Sequence, residues 1–153
     1  MKSLLRLSLV SLALVAPTLS WSQATNAAPV NASEAAAKEE GAVVTESGLV
    51  IRMLKEGTGA SPKASDRVSV HYRGKLVNGS EFDSSYSRGA PSDFPLGGVI
   101  PCWTEGLQRM KVGGKAKLTC PAKLAYGQRG INGVIPPFAT LIFEVELVAI
   151  KGK

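Results

Sequence analysis

The chain has 153 residues, of which 44% are hydrophobic and 20% charged, and a formal charge of +6. This length suffices for one domain with a hydrophobic core and is too short for two ordinary domains. The basic residues are scattered among apolar positions and form no arginine-rich arm, so the composition argues against a nucleic-acid partner.

The first 24 residues have the pattern of a cleavable signal peptide. Lys2 and Arg6 precede an apolar run over residues 7–16, and Ser22-Gln23-Ala24 places small residues where a signal peptidase cleaves. The apolar run is shorter than the roughly 20 residues that a membrane-spanning helix needs. We therefore predict a signal peptide over residues 1–24, export to the periplasm or the medium, and no stable membrane anchor.

Residues 25–45 are rich in Ala, Asn, Ser, Glu and Lys and contain few large apolar side chains. A segment of this composition cannot form a hydrophobic core. The stretch Ser33–Glu40 has a serine cap and helix-forming residues, but it is too short to be a stable helix alone. We predict a flexible tether over residues 25–45 and a folded domain over residues 46–151.

Alternation of apolar and polar residues with a period of two predicts strands in the folded region. The predicted strands are Leu49–Leu54, Val68–Arg73, Glu81–Ser85, Ala116–Cys120 and Leu141–Val148. Asn78-Gly79 predicts a type I′ hairpin turn between the second and third strands, because both central residues of that turn need positive φ. We expect residues 87–98 and 124–137 to be irregular. Hairpin connections and alternating faces indicate an antiparallel sheet.

One helix is predicted beginning near Pro101, because proline is tolerated in a first helical turn, and ended by Gly113-Gly114. Trp103, Leu107 and Met110 are spaced four and three residues apart and fall on one face of this helix. That face must pack on the sheet, and Trp103 in the first turn faces any cavity at that end. The predicted fold class is α+β.

The two cysteines, Cys102 and Cys120, have three interpretations. An exported protein with two thiols favours one disulfide, which requires Cα atoms within about 7 Å. The alternatives are two small buried apolar residues or, with least support, catalytic thiol chemistry. The sequence leaves these alternatives open.

Ordinary catalytic motifs are absent from the sequence. The single histidine, His71, has no second ligand at a metal-binding spacing, and there is no Gly-x-Ser-x-Gly elbow, P-loop or dinucleotide-binding glycine motif. We predict no metal and no cofactor.

Aromatic and apolar residues at strand ends and in glycine-rich and proline-rich loops are candidates for lining a pocket. They are Tyr72, Phe82, Phe94, Val99, Ile100, Trp103, Tyr126, Ile135 and Phe143. By contrast, Met53, Leu118, Val145 and Leu147 lie within predicted strands and are assigned to the core.

Five motifs resemble the FKBP family of peptidyl-prolyl cis-trans isomerases, in particular exported bacterial members with a signal peptide. They are Val70–Gly74, Gly79–Ser85, Gly98–Gly106, Leu124–Gly127 and Ile135–Leu147. The resemblance covers residues 46–151 and none of the tether. It implies a five-stranded antiparallel half-barrel wrapped around one short α-helix, with a shallow apolar pocket at the start of the helix.

The resemblance also implies site residues and an activity, rotation about Xaa-Pro bonds in unfolded or nascent exported polypeptides to assist their folding. The catalytic residues would be Tyr72, Phe82, Asp83, Tyr126 and Phe143. The substrate-binding residues would be Arg88, Phe94, Val99, Ile100, Trp103 and Ile135. Asp83 is assigned an orienting role without proton transfer, the alternative being a carboxylate that only caps a turn. Macrolide inhibitors of the family are further expected ligands.

Two positions depart from the family pattern. Ser92 stands where many members have a large apolar residue, and Ile131 occupies a position that is often histidine. These differences bear on the preference for the residue before proline and on macrolide affinity.

The alternative function is a periplasmic chaperone or peptide-binding module with weak or incidental isomerase activity. Dedicated chaperone members of the family often have a long helical dimerisation segment before this domain, whereas residues 25–45 are short. This difference favours a monomeric isomerase.

Overall fold

The computed structural model describes residues 32–152. The predicted signal peptide over residues 1–24 and residues 25–31 of the predicted tether lie outside this range. The elements are α1 (Ala32–Ala37), β1 (Ala42–Val44), β2 (Val50–Lys55), β3 (Arg67–Leu76), β4 (Glu81–Ser84), β5 (Ser92–Pro95), α2 (Pro101–Gln108), β6 (Lys115–Cys120) and β7 (Leu141–Lys151). Short 3-10 turns cover Tyr86–Arg88, Leu96–Gly98 and Ala122–Leu124.

The strands form one antiparallel sheet in the order β1-β2-β6-β7-β3-β4, with β5 also paired to β3. β3 pairs with β7 from Arg67 opposite Lys151 to Leu76 opposite Leu141. Its other edge is divided, because β5 pairs with residues 67–70 and β4 with residues 73–75.

Ser85 occupies the break between β4 and β5. Its backbone N–H donates to the carbonyl of Tyr72 at 2.9 Å, and its hydroxyl oxygen accepts a hydrogen bond from the N–H of Tyr72 at 2.8 Å. The serine therefore satisfies the backbone of β3 where no strand does, as buried polar groups require.

The α+β class and the helix are confirmed. α2 begins with Pro101 at its first position and ends at Gln108, earlier than the glycine pair that was expected to end it. Trp103, Leu107 and Met110 are all buried in the core. Gly106 permits close packing on the sheet, since a Cβ there would lie 2.9 Å from Leu118 Cδ1.

The five predicted strands are present as β2, β3, β4, β6 and β7, but the sheet has seven strands, so the expected count of five is wrong. β5 lies in the stretch that was expected to be irregular. It has one large apolar residue, Phe94, and ends in a proline, so its formation depends on pairing with β3 rather than on an alternating pattern.

Residues 32–45 differ from the predicted tether, because they form α1 and the edge strand β1. Glu39, between these elements, accepts hydrogen bonds from Lys117 at 2.6 Å and Arg52 at 3.1 Å. These ion pairs hold the segment to β6 and β2, and Ala36 of α1 is buried. Tertiary contacts thus stabilise a helix that is too short to be stable in isolation.

The hairpin between β3 and β4 is present, but its turn is not type I′. Gly79 has a φ of 89°, whereas Asn78 is not among the described residues with positive φ. The N–H of Gly79 donates to the carbonyl of Leu76, and the N–H of Leu76 donates to the carbonyl of Ser80. The loop therefore has three residues and ends in a left-handed glycine.

A disulfide joins Cys102 in the first turn of α2 to Cys120 at the end of β6, with the Cα atoms 5.8 Å apart. Both residues are fully buried. The start of the helix is thus tied covalently to the sheet. Within residues 32–152, no helix is long and apolar enough to cross a membrane.

Candidate functional site

A pocket of about 330 Å³ opens at the start of α2. Its walls come from β3, β4, β5 and β7, from α2 and the residues just before it, and from the loop after β6. The lining residues are Tyr72, Phe82, Asp83, Phe94, Gly98, Val99, Ile100, Trp103, Tyr126 and Phe143. Most of these side chains are aromatic or aliphatic, which is typical of a site for an apolar ligand.

Trp103 is the centre of the aromatic cluster in this pocket. Its ring makes edge-to-face contacts with Tyr72, Phe94 and Phe143, with ring centroids 5.0, 5.5 and 5.3 Å apart. Phe82 packs edge-to-face on Phe143 at 5.6 Å. This is the preferred geometry of aromatic pairs, so the indole is held in place from three sides.

A polar network borders the aromatic cluster. The hydroxyl of Tyr72 donates to Asp83 Oδ2 at 2.6 Å, and Arg88 donates to Asp83 Oδ1 at 2.7 Å and to the Tyr72 hydroxyl oxygen at 2.7 Å. The guanidinium of Arg88 also lies 5.5 Å from the centre of the Tyr72 ring. Both oxygens of the carboxylate are therefore held in a fixed orientation.

These contacts shift the ionisation of the pocket groups. Burial acts to raise the pKa of Asp83, but the hydrogen bonds from Tyr72 and Arg88 and the charge of Arg88 outweigh it, so this pKa lies below its ordinary value. Burial, followed by the hydrogen bond to Asp83, raises the pKa of Tyr72. Burial and the negative charge of Asp83 raise the pKa of Tyr126. Near neutral pH, the carboxylate is ionised and both phenols are protonated.

Besides the buried indole N–H of Trp103, two hydrogen-bond donors at the pocket have no partner among residues 32–152. They are the backbone N–H of Ile100 and the hydroxyl of Tyr126. Ile100 precedes the first turn of α2, and its carbonyl accepts the N–H of Trp103 at 2.9 Å. A ligand with carbonyl groups above the indole can therefore accept hydrogen bonds from the wall of an otherwise apolar pocket.

Nine of the eleven predicted site residues line the pocket. Arg88 is outside the lining and lies behind Tyr72 and Asp83, where it also donates to Ser92 at 3.3 Å. Ile135 is buried in the core and pairs with Ile131 across the loop after β6. Gly98 also lies in the pocket wall and was not among the predicted site residues, because it has no side chain to mark it.

The structure gives no reason to assign a metal. Within the part of the chain that the structure describes, no group of three or more His, Cys, Asp or Glu side chains is placed to hold a metal ion. His71 hydrogen-bonds to Ser85 at 3.0 Å and stacks on the ring of Tyr86.

Comparison with known proteins places this pocket in a family. Residues 58–148 match the model of the FKBP-type peptidyl-prolyl cis-trans isomerase domain. The FKBP-type 22 kDa peptidyl-prolyl cis-trans isomerase of Escherichia coli K12 is 55% identical over 128 residues, which cover 84% of this chain and 62% of that protein. FkpA of Aeromonas hydrophila is 57% identical over 115 residues, or 75% of this chain and 42% of that protein. The chain thus spans about half the length of these relatives.

Solved structures agree with this assignment. The crystal structure of FkpA from Escherichia coli is 51% identical, with a TM-score of 0.76, and the match covers 78% of this chain and 56% of that one. A peptidyl-prolyl cis-trans isomerase from Pseudomonas syringae is 37% identical, with a TM-score of 0.71, and the match covers 80% of this chain and 96% of that one. The chain therefore belongs to the FKBP-type peptidyl-prolyl cis-trans isomerase family.

Proposed function

We propose that this protein catalyses cis-trans isomerisation of Xaa-Pro bonds in unfolded polypeptides. The observation that carries the proposal is the apolar pocket over Trp103, bordered by two donors without protein partners, Ile100 N–H and the Tyr126 hydroxyl. The indole provides a flat apolar surface for a pyrrolidine ring, and the donors meet peptide carbonyls beside it.

The barrier to this reaction is the loss of amide resonance. Rotation about the C–N bond costs about 18–20 kcal/mol, and each 1.36 kcal/mol removed increases the rate about tenfold. In water the planar amide is well solvated, and the apolar walls of Phe82, Phe143 and Val99 remove this solvation. The pocket accelerates rotation to the extent that it binds the twisted amide more tightly than the planar forms.

Ile100 and Tyr126 orient the peptide by donating to its carbonyl groups, so that the proline ring is held while the preceding residue rotates. Asp83 transfers no proton, because the reaction moves none and both carboxylate oxygens are already hydrogen-bonded. Its charge and its contact with Tyr72 fix the wall of the pocket next to the rotating bond. Binding and positioning account for catalysis without a cofactor.

The clients are proline-containing exported polypeptides, and the protein acts in the periplasm as a monomer. The N-terminal pattern of residues 1–24 supports export. Macrolide inhibitors that carry a proline-like ring would occupy the same pocket.

The test measures isomerisation of Xaa-Pro tetrapeptides with several residues before proline, with and without such a macrolide. We expect Phe82→Ala and Asp83→Ala to lower kcat/KM at least about tenfold, which corresponds to about 1.4 kcal/mol. The matched controls are Phe138→Ala and Asp93→Ala, since neither residue lines the pocket. No turnover by the folded wild-type protein would overturn the proposed function, and full turnover by a folded Asp83 variant would remove Asp83 from it.

A second candidate function is chaperone-like peptide binding with incidental isomerase activity. The loop after β6 favours it, because this loop exposes Ile131, Val134 and Phe138, of which Phe138 is 69% exposed. Clusters of exposed apolar side chains often mark binding surfaces. Suppression of aggregation of a client without proline-limited folding, undiminished in the Asp83 variant, would establish this second function.

A further inference from the structure

Two grooves continue the proline pocket along the outer side of α2. The first, of about 380 Å³, shares Val99 with the pocket and is also lined by Gly97, Pro101, Thr104, Glu105 and Gln108. The second, of about 450 Å³, shares Glu105 with the first and is also lined by Val43, Val44, Thr45, Glu46, Ser47 and Arg109. The three cavities therefore adjoin in succession, and together they are called here the α2 track, which extends from Trp103 to β1.

The far end of the α2 track is the free edge of the sheet. Among the strands of residues 32–152, β1 pairs with β2 alone. The N–H of Thr45 donates to the carbonyl of Leu49 at 2.9 Å. Because hydrogen-bonded and non-hydrogen-bonded pairs alternate in an antiparallel ladder, the backbone N–H and C=O of Val44 point away from β2. Such an edge can accept a further strand.

Val43 adds an uncovered apolar surface to this edge. It is the cross-strand partner of Ile51, and directly opposed residues share one face of a sheet. Ile51 is 6% exposed in the core, whereas Val43 is 55% exposed. The face of the sheet that packs on the core therefore continues to Val43, where none of residues 32–152 covers it fully. Val43 lies in the groove beside Glu105 and Arg109.

We propose that the groove between α2 and β1 binds an extended segment of the same client polypeptide whose proline occupies the pocket. The segment adds as a strand to β1 and packs an apolar side chain on Val43. This inference rests on the proposed function, since the pocket defines where the client enters the track. It makes the protein a binder of extended chains as well as of the proline itself.

Continuity of the track argues for this occupant. Val99 and Glu105 are each shared by two successive cavities, so the pocket and the two grooves adjoin one another along α2. The Glu105 carboxylate already accepts a hydrogen bond from Ser47 and pairs with Arg109 at 3.6 Å. A neutral segment can therefore pass it without leaving a new unpaired charge.

The length of α2 sets the number of client residues between the proline in the pocket and the residues that contact β1. Eight helical residues span about 12 Å at about 1.5 Å per residue, and an extended peptide covers this distance with about four residues at about 3.3 Å each. The residues that contact β1 therefore begin about four positions from the proline. β-branched residues are preferred there, because they suit an added strand.

The test compares two substrates with the full-length protein. One is a tetrapeptide with a central Xaa-Pro bond, and the other extends the same sequence by seven residues on each side, rich in Val and Ile. We expect the long peptide to bind at least about tenfold more tightly than the tetrapeptide. Val43→Glu should weaken binding of the long peptide at least about fivefold and leave tetrapeptide kcat/KM unchanged. The matched control is Val77→Glu, because Val77 is 54% exposed in the β3–β4 hairpin, outside the track.

The outcomes separate the track from the pocket. If folded Val43→Glu and folded Val77→Glu bind the long peptide with equal affinity, the inference is overturned. Absence of tetrapeptide turnover by the wild-type protein would overturn the proposed function. Weaker binding of the long peptide by Val43→Glu would still support the α2 track in that case. A wild-type dimer that Val43→Glu dissociates would assign the groove to a second copy and overturn the inference. Tighter long-peptide binding by Val43→Glu would assign it to residues 1–31 of the chain itself, with the same consequence.

Discussion

The hydroxyl of Tyr72 lies 2.6 Å from Asp83 Oδ2 and donates a hydrogen bond to it. This contact joins a ring that packs against Trp103 to the carboxylate of the pocket wall. A change at either residue therefore affects how the other is held in the pocket.

Tyr72→Phe removes the donor but keeps the ring. Asp83 then retains only Arg88 of its two side-chain partners, so its orientation is less fixed, and we expect kcat/KM for tetrapeptides to fall about tenfold. Tyr86→Phe is the matched control, because Tyr86 is outside the pocket lining. Equal losses in the two variants would refute a specific role for the Tyr72 hydroxyl.

The pH dependence of kcat/KM follows from the pocket groups whose pKa is shifted. The pKa of Asp83 is lowered from 3.8 and those of Tyr72 and Tyr126 are raised from 10.0, so all three keep one protonation state between about pH 5 and about pH 9. We expect kcat/KM to be flat over this interval. The stability that Asp83 contributes is present above its ordinary pKa and is lost as the pH falls through its lowered pKa. A transition of kcat/KM within the flat interval, measured with a folded protein, would contradict this prediction.

Gly74→Ala should disturb the pocket from behind. A Cβ on Gly74 would lie 2.6 Å from Phe82 Cζ and 2.8 Å from Phe143 Cε1, so both rings would have to move. We expect a loss of about 1–3 kcal/mol in the free energy of unfolding, together with reduced turnover. Denaturant unfolding and near-ultraviolet circular dichroism would measure the two effects. Unchanged values of both would show that the rings move freely.

Removal of the disulfide should lower stability more than activity. The bond closes a loop between residues 18 apart in sequence, which corresponds to about 3 kcal/mol of unfolding free energy and a Tm decrease of roughly 10 °C. Thermal unfolding with and without reductant measures this change. The double variant Cys102→Ala, Cys120→Ala provides the control, since its Tm should not respond to reductant. A wild-type Tm equally insensitive to reductant would argue against the bond.

Glu39→Gln should loosen the N-terminal segment. Its pKa is lowered chiefly by the hydrogen bond from Lys117, and the variant removes the charge that holds Lys117 and Arg52. Because these groups are partly exposed, we expect at most about 1 kcal/mol of global destabilisation, with faster amide exchange in β1. Glu40→Gln is the matched control, because the neighbouring Glu40 is exposed. Equal exchange in the two variants would show that Glu39 does not hold β1.

The sequence predicts elements whose stability is encoded locally. β7 alternates over Leu141, Phe143, Val145 and Leu147, all of which are buried, so its period is visible without a structure. β5 and β1 have no such pattern. Both exist because a neighbouring strand lies beside them, and Glu39 depends on Lys117, 78 residues further along the chain.

The sequence predicts those pocket residues whose side chains are distinctive in type and position. Aromatic residues in loops and at strand ends indicated Trp103 and Tyr126. The support of Tyr72 and Asp83 by Arg88 depends on the path of the chain after β4, which no local pattern describes. Gly98 contributes only backbone, so its position in the wall depends on the same path.

The break in the sheet edge at Ser85 has a consequence for how this protein can evolve. β4 and β5 occupy successive parts of the same edge of β3, and each contributes a pocket wall, Phe82 from one and Phe94 from the other. The chain between them, residues 85–91, includes no buried residue except Ser85. Because pairing with β3 holds both walls in place, insertions or deletions after Ser85 would move Arg88, which contacts Asp83 and Tyr72, and leave the separation of the walls unchanged. The charge distribution at the pocket can therefore diverge among descendants without loss of the fold.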